Sequence, residues 1–157
     1  MAFYWLLKSE PLVFAIDDLI HSPQGTTCWE GVRNYQARNF LRTMMVGDQA
    51  FFYHSNANPS SIVGIVKIVK AAYPDYFSWD ARSKYFDKKS SSENPTWSMV
   101  DVKFVKKFSS PIPLDQLRKM KGLEHMELLR KGSRLSVQPV GQEAWKIILK
   151  LAKTVAK

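Results

Sequence analysis

The sequence predicts a small α+β domain whose sheet is strongly curved or closed. Three observations carry this. Apolar stretches with the two-residue period of strands are interleaved with short stretches of helical spacing. The run IVGIVKIVK (62–70) is β-branched and almost continuously apolar, as a strand covered on both faces would be. Neither a repeat nor a linker divides the 157 residues, which suit a single domain of roughly 100–200 residues.

The elements follow in chain order. FYWLLK (3–8) reads as a strand that stops at the turn-prone Ser-Glu-Pro. IDDLI (16–20) suits one or two helical turns, and Pro23 to Thr27 reads as a loop. From Tyr35 onward, Ala37, Phe40, Leu41 and Met44 follow one helix face, with Tyr35, Arg38, Asn39 and Arg42 opposite and Val46-Gly47-Asp48 as the stop. QAFFYH (49–54) is a second strand, and Ser55 to Ser61 a turn. Gly64, inside the long apolar run, predicts a bulge or a close backbone approach. Val100, Val102 and Phe104 alternate with Asp101 and Lys103 in a half-buried strand. Leu114 to Lys131 has helical spacing broken near Gly122, and RLSVQP (134–139) reads as a last strand. Trp145, Ile148, Leu149 and Ala152 line the inner stripe of a C-terminal helix, whose solvated face carries Lys146, Lys150, Lys153 and Lys157.

Residues 73–97 make a long connection, unusual in a compact domain. A disordered segment would avoid aromatics, yet this one holds Tyr73, Tyr76, Phe77, Trp79, Tyr85, Phe86 and Trp97. Most of it is therefore expected to pack back on the body, leaving KKSSS (88–92) mobile.

Composition bounds the function. Usage is ordinary for a globular chain, 45% hydrophobic and 24% charged. The single cysteine, Cys28, allows no disulfide framework, and the histidines at 21, 54 and 125 are too scattered for a zinc site, so neither metal nor cofactor is called for. No segment approaches the roughly 20 apolar residues of a membrane span, and the N-terminal apolar run lacks the flanks of a signal peptide. The expected location is cytoplasmic, with nucleoid association left open, and not secreted. Lysine and arginine total 23 against 14 aspartate and glutamate, a net charge of +9. A surplus of that size favours polyanionic partners, since each neutralised phosphate releases counterions.

Enzyme motifs are sparse. There is no GxSxG elbow, phosphate-binding glycine loop or HExxH. Cys28 with His54 is a conceivable nucleophile pair, although a lone cysteine beside a tryptophan is more often a small core residue. Lys8, Glu10 and Thr27 could form a hydrolytic cluster if the first strand meets the Thr-Thr segment.

A binding site uses more of the sequence. An unpaired base needs a flat apolar surface, a few fixed donors and acceptors, and cations outside for phosphate. Trp29 sits in a polar loop and Trp97 follows Asn-Pro at the mouth of a strand. Arg33, Arg38 and Arg42 gather at the start and polar face of the helix, placed to grip phosphates. The competing readings are core packing for each tryptophan and a solvated helix face for the arginines.

YWLLKSEP (4–11), TTCWEGVRNYQARNFL (26–41), AFFYHSN (50–56), YFDKKSSSENPTWSMVDVKF (85–104) and RLSVQP (134–139) stand in the order of an EVE domain, and the chain resembles that family over nearly its whole length. The resemblance implies a PUA-like fold: a curved, mixed sheet forming a small barrel, flanked by short helices. It also implies a reader of modified bases, chiefly modified cytosine in DNA, and not an enzyme. By analogy with the related YTH domains, Trp29 would stack on the extruded base, Ser9 and the backbone near it would meet its edge, and Trp97 or a neighbouring aromatic would close the cage. Asn34, Tyr53, His54 and Ser55 complete the expected pocket, and Arg33, Arg38, Asn39 and Arg42 are the expected backbone contacts. The partner is then nucleic acid, modified DNA ahead of RNA, and no membrane. Two alternatives stay open: an ASCH-like hydrolase of a modified nucleoside, and a PUA-like RNA-binding module.

Overall fold

The computed structural model describes residues 3–155, so the lysine expected at 157 lies outside the described residues. Six strands, β1 (Tyr4–Ser9), β2 (Thr26–Cys28), β3 (Gln49–His54), β4 (Ser61–Pro74), β5 (Ser98–Pro113) and β6 (Val137–Val140), make one sheet in the order β2-β5-β4-β3-β1-β6. β1 runs parallel to β3 and every other pairing is antiparallel. Four helices accompany it: α1 (Ile16–Ile20), α2 (Tyr35–Thr43), α3 (Leu114–Arg118) and α4 (Gln142–Val155). No helix among the described residues is long and apolar enough to cross a membrane.

The two-residue period sorts side chains onto two cores. Trp5, Leu7, Ala50 and Phe52 face one, closed by Ile16 and Leu19 of α1 and Ala37 and Leu41 of α2. Leu6, Phe51 and Tyr53 face the other, closed by Leu117 of α3 and by Trp145 and Ile148 of α4. Trp145 stacks on Phe51 with ring centroids 4.0 Å apart. At Gly64 the register between β4 and β5 shifts, and a Cβ there would sit 2.2 Å from the Lys106 carbonyl oxygen. The bulge and the close backbone approach are both present.

The sheet is curved but not closed. β2 and β6 are its two edges, so the small closed barrel is corrected to an open sheet. The curl is nevertheless strong. β2 and β1 lie four steps apart in the sheet, roughly 19 Å if it were flat at about 4.8 Å per step, yet both supply walls to one cavity.

Other expectations change in detail. The loop at 23–27 is a 3-10 turn at Pro23–Gly25 followed by β2; three residues are too few to show a period. The helical spacing of 114–131 yields only α3 and a 3-10 turn at Glu127–Leu129, because Gly122 at φ 96° turns the chain left-handed. The last strand begins at Val137, three residues later than expected. The segment 73–97 packs on the body as expected, but KKSSS is anchored in the middle. Ser90 is buried, its Oγ 2.9 Å from that of Ser78, and it accepts the Thr96 N–H at 3.1 Å.

Candidate functional site

The backbone of the Trp29 turn is fixed before any side chain is considered. The Trp29 N–H donates to the Val100 carbonyl at 2.7 Å, extending the β2–β5 pairing by one residue. Gly31 then takes φ 85°, and its N–H donates to the buried Asp75 carboxylate at 2.9 Å. Three residues on, Asn34 caps α2 by accepting the Ala37 N–H at 2.9 Å.

This turn forms one wall of a cavity of about 600 Å³, within the roughly 300–1,000 Å³ usual for ligand sites. The end of β1 (Lys8, Ser9) and the Glu10 that follows it supply another wall, with Phe14, Ser55, Tyr85, Arg134 and Ser136 around them. Trp29 is 8% exposed. Its ring meets Phe52 and Phe14 edge to face, at 5.5 and 6.4 Å between centroids. It is both a core residue and part of the cavity lining.

Of the expected pocket residues, Ser9, Trp29 and Ser55 line this cavity. The Ser9 hydroxyl donates to the Phe14 carbonyl at 2.6 Å and the Ser55 N–H to the Ser9 carbonyl at 3.0 Å, so both brace the β1 end. Four others lie elsewhere. The Asn34 side chain is committed to its cap. Tyr53 faces the opposite core, where burial pushes its phenol up. His54 Nε2 accepts the Ile16 N–H at 3.1 Å and holds α1; burial lowers its pKa, against a smaller opposing pull from Asp17. Trp97 lines a second hollow, where its Nε1–H donates to Asp87 at 2.8 Å and its ring stacks on Tyr35 at 4.9 Å.

The expected phosphate-binding arginines make internal bonds. Arg33 pairs with Asp75 at 2.9 Å and donates twice to the Tyr85 carbonyl, at 3.1 and 2.7 Å, so it is a structural clamp. Arg38 donates to the Thr96 carbonyl at 3.0 Å and to Asn39 Oδ1, and lies 4.9 Å from the Tyr35 ring centroid. Arg42 donates to Ser98 Oγ at 2.9 Å. Arg38 and Arg42 thus tie α2 to the strand that begins at Ser98, and Asn39 steadies Arg38.

Sequence reasoning gave Lys84 and Arg134 no role and expected of Tyr85 only that it pack on the body; all three border the cavity. A usable signal lay in Gly31: a Cβ there would come within 2.5 Å of the Tyr85 ring, so only glycine lets that ring close the turn. Arg134 opens the RLSVQP stretch, which sequence reasoning read as a strand and as part of the EVE resemblance, without assigning Arg134 a role.

The catalytic candidates fare unevenly. Burial, reinforced by a hydrogen bond to Glu30 at 3.1 Å, pushes the Cys28 thiol up to about 12, so it carries no thiolate at neutral pH. His54 serves α1, and no hydrogen bond joins it to Cys28 among the described residues. Lys8, Glu10 and Thr27 all line the cavity. No hydrogen bond joins them among the described residues, and Glu10 accepts from Asn56 Nδ2 at 2.8 Å. Burial lowers the Lys8 pKa, with Glu127 opposing.

Residues 3–151 match the family model of the EVE domain. This chain belongs to the EVE domain family. Thymocyte nuclear protein 1 of Gallus gallus is 50% identical to this EVE domain over 165 residues, covering 94% of this chain and 68% of the relative. A crystal structure of a Pseudomonas syringae protein superposes with TM-score 0.91 at 51% identity, covering 95% of this chain and 99% of that one. The human THYN1 protein in complex with 5-methylcytosine-containing DNA superposes with TM-score 0.91 at 45% identity, covering 97% and 98%. A ZmASCH mutant protein of Zymomonas mobilis reaches TM-score 0.53 at 11% identity over 94% and 97% of the two chains, a likeness of fold alone.

Proposed function

We propose that this EVE domain binds a modified nucleobase, 5-substituted cytosine in DNA, by taking the flipped base into the Trp29 cavity without turning it over. The observation that carries the reading is the wall itself: an indole backed by Phe14 and Phe52 and open to a hollow of about 600 Å³. Stacking on such a ring is worth roughly 1–3 kcal/mol per base. The Glu30 carboxylate beside it suits the exocyclic amino group of cytosine, a donor that carboxylates accept. Phe14 and Val32 offer apolar surface for a substituent at C5. Lys84 and Arg134, both exposed and without an ion-pair partner among the described residues, stand where phosphates would enter. The human relative's complex with 5-methylcytosine-containing DNA supports the same ligand class.

A panel of oligonucleotides differing at one base, in DNA and RNA versions, tests this by fluorescence anisotropy. Burying one methyl group contributes about 0.8 kcal/mol, so 5-methylcytosine should be preferred over cytosine by roughly fourfold or more. Equal affinity for all bases would overturn the reading, and a preference for RNA would move it to an RNA module. A second reading, hydrolysis of a modified nucleoside, draws on the presence of Lys8, Glu10 and Thr27 on the walls of one cavity, with a destabilised Lys8 ammonium. Product release measured by chromatography on the same ligands separates the two: binding with no turnover supports the reader.

A further inference from the structure

Beside the Trp29 cavity lies a second hollow of about 590 Å³. Lys84 and Tyr85 belong to both, so the Tyr85 ring is a partition between two adjoining chambers. The floor of the second is rigid. Arg33 spends its donors on Asp75, Val32 and the Tyr85 carbonyl. The Trp97 indole is tied to Asp87 and covered by Tyr35. What remains unengaged faces outward. Phe86 is 44% exposed, an unusual position for a phenyl ring beside an otherwise satisfied polar floor. Lys84 and Lys88 are exposed and make no hydrogen bond or ion pair among the described residues; the Lys84 ammonium rests 5.1 Å from the Tyr85 ring centroid.

An exposed aromatic ring flanked by two lysines without hydrogen-bond or ion-pair partners among the described residues fits a planar base joined to phosphate. The shared partition gives the source, since a strand whose flipped base fills the first chamber must continue past Tyr85. We infer that the second hollow holds the nucleotide next to the flipped one, its base against Phe86 and its phosphate at Lys84 and Lys88. This rests on the reading of the Trp29 cavity as a base pocket. It adds a source of sequence context: stacking tolerates every base but favours the stronger stackers, so the neighbour should be read weakly, by size of ring.

A double-mutant cycle tests it, using oligonucleotides with one 5-methylcytosine and an abasic residue on its 5′ or its 3′ side. With the unsubstituted protein, removing the neighbour base on one side should weaken binding by roughly fivefold or more. Phe86→Ala should weaken the intact oligonucleotide by a similar factor, lose sensitivity to the abasic neighbour, and keep the ratio of 5-methylcytosine to cytosine affinities. Lys88→Ala should reduce the salt slope by about 1. The inference is overturned if Phe86→Ala stays sensitive to the missing base, if neither neighbour matters, or if the modification ratio collapses, which would put Phe86 in the first chamber. An unsubstituted protein that binds no methylated oligonucleotide overturns the first reading and this one together.

Discussion

Trp29 is held by its neighbours as tightly as any core residue, which changes what its removal should do. Trp29→Ala leaves Phe14 and Phe52 unsupported, and core tryptophan truncations cost about 3–5 kcal/mol of stability. Chemical denaturation should show that loss, and the fraction still folded should bind a methylated oligonucleotide roughly 1–3 kcal/mol more weakly. The polar setting of the residue in the sequence pointed to the cavity; the two phenylalanines behind it come from distant strands and loops and left no local sign. Arg33 is the reverse case. Its place with Arg38 and Arg42 at the start of the helix suggested a phosphate contact, but the Asp75 side chain it pairs with is 0% exposed. Arg33→Ala should therefore destabilise the fold by on the order of 3 kcal/mol, through an uncompensated buried carboxylate, with a melt as the readout. His54 predicts a pH effect. Burial lowers its folded pKa below the ordinary 6.5, so the unfolded chain binds the proton first. Stability should decline as pH falls from about 6.5 and level off below the folded value. A histidine-to-glutamine variant, His54→Gln, should flatten that part of the denaturation–pH curve.

At the scale of elements, the same contrast between local and distant causes decides what could be read. β1, β3, α1 and α2 appear within a residue or so of their expected bounds, because each carries its own period or its own stop. β4 and β5 extend to 14 and 16 residues, well past their apolar cores. The added residues of each strand pair with the buried half of the other, Tyr73 and Pro74 with Met99 and Ser98, Lys106 and Lys107 with Ile65 and Gly64, which no single stretch reveals. α3 fails as a long helix because Gly122 and the turns after it generate helix-like apolar spacing without helical backbone. Gly64 is the sharpest element-level test. Gly64→Ala would press a methyl group into the Lys106 carbonyl and the Ile16 side chain. Overpacking of that kind costs typically about 1–3 kcal/mol, and loss of hydrogen-exchange protection should centre on the β4–β5 bulge.

For the whole molecule, the charge surplus of +9 predicts binding that weakens steeply with salt, and the slope of log affinity against log salt counts the phosphates neutralised. Sequence reasoning placed those cations on α2. In the structure the arginines of α2 are bonded to the body, while Lys84 and Arg134 stand at the cavity; composition reported the surplus but not its address. The chamber draws on residues 8–10, 13–14, 27–32, 55, 84–85, 134 and 136, so it exists only where segments from most of the chain have folded together. Occupancy and folding are therefore linked in one equilibrium, and a ligand at a hundred times its dissociation constant should add about 2.7 kcal/mol to unfolding. Melting temperature thus becomes a general detector, able to rank candidate nucleosides and short oligomers without a label on either molecule.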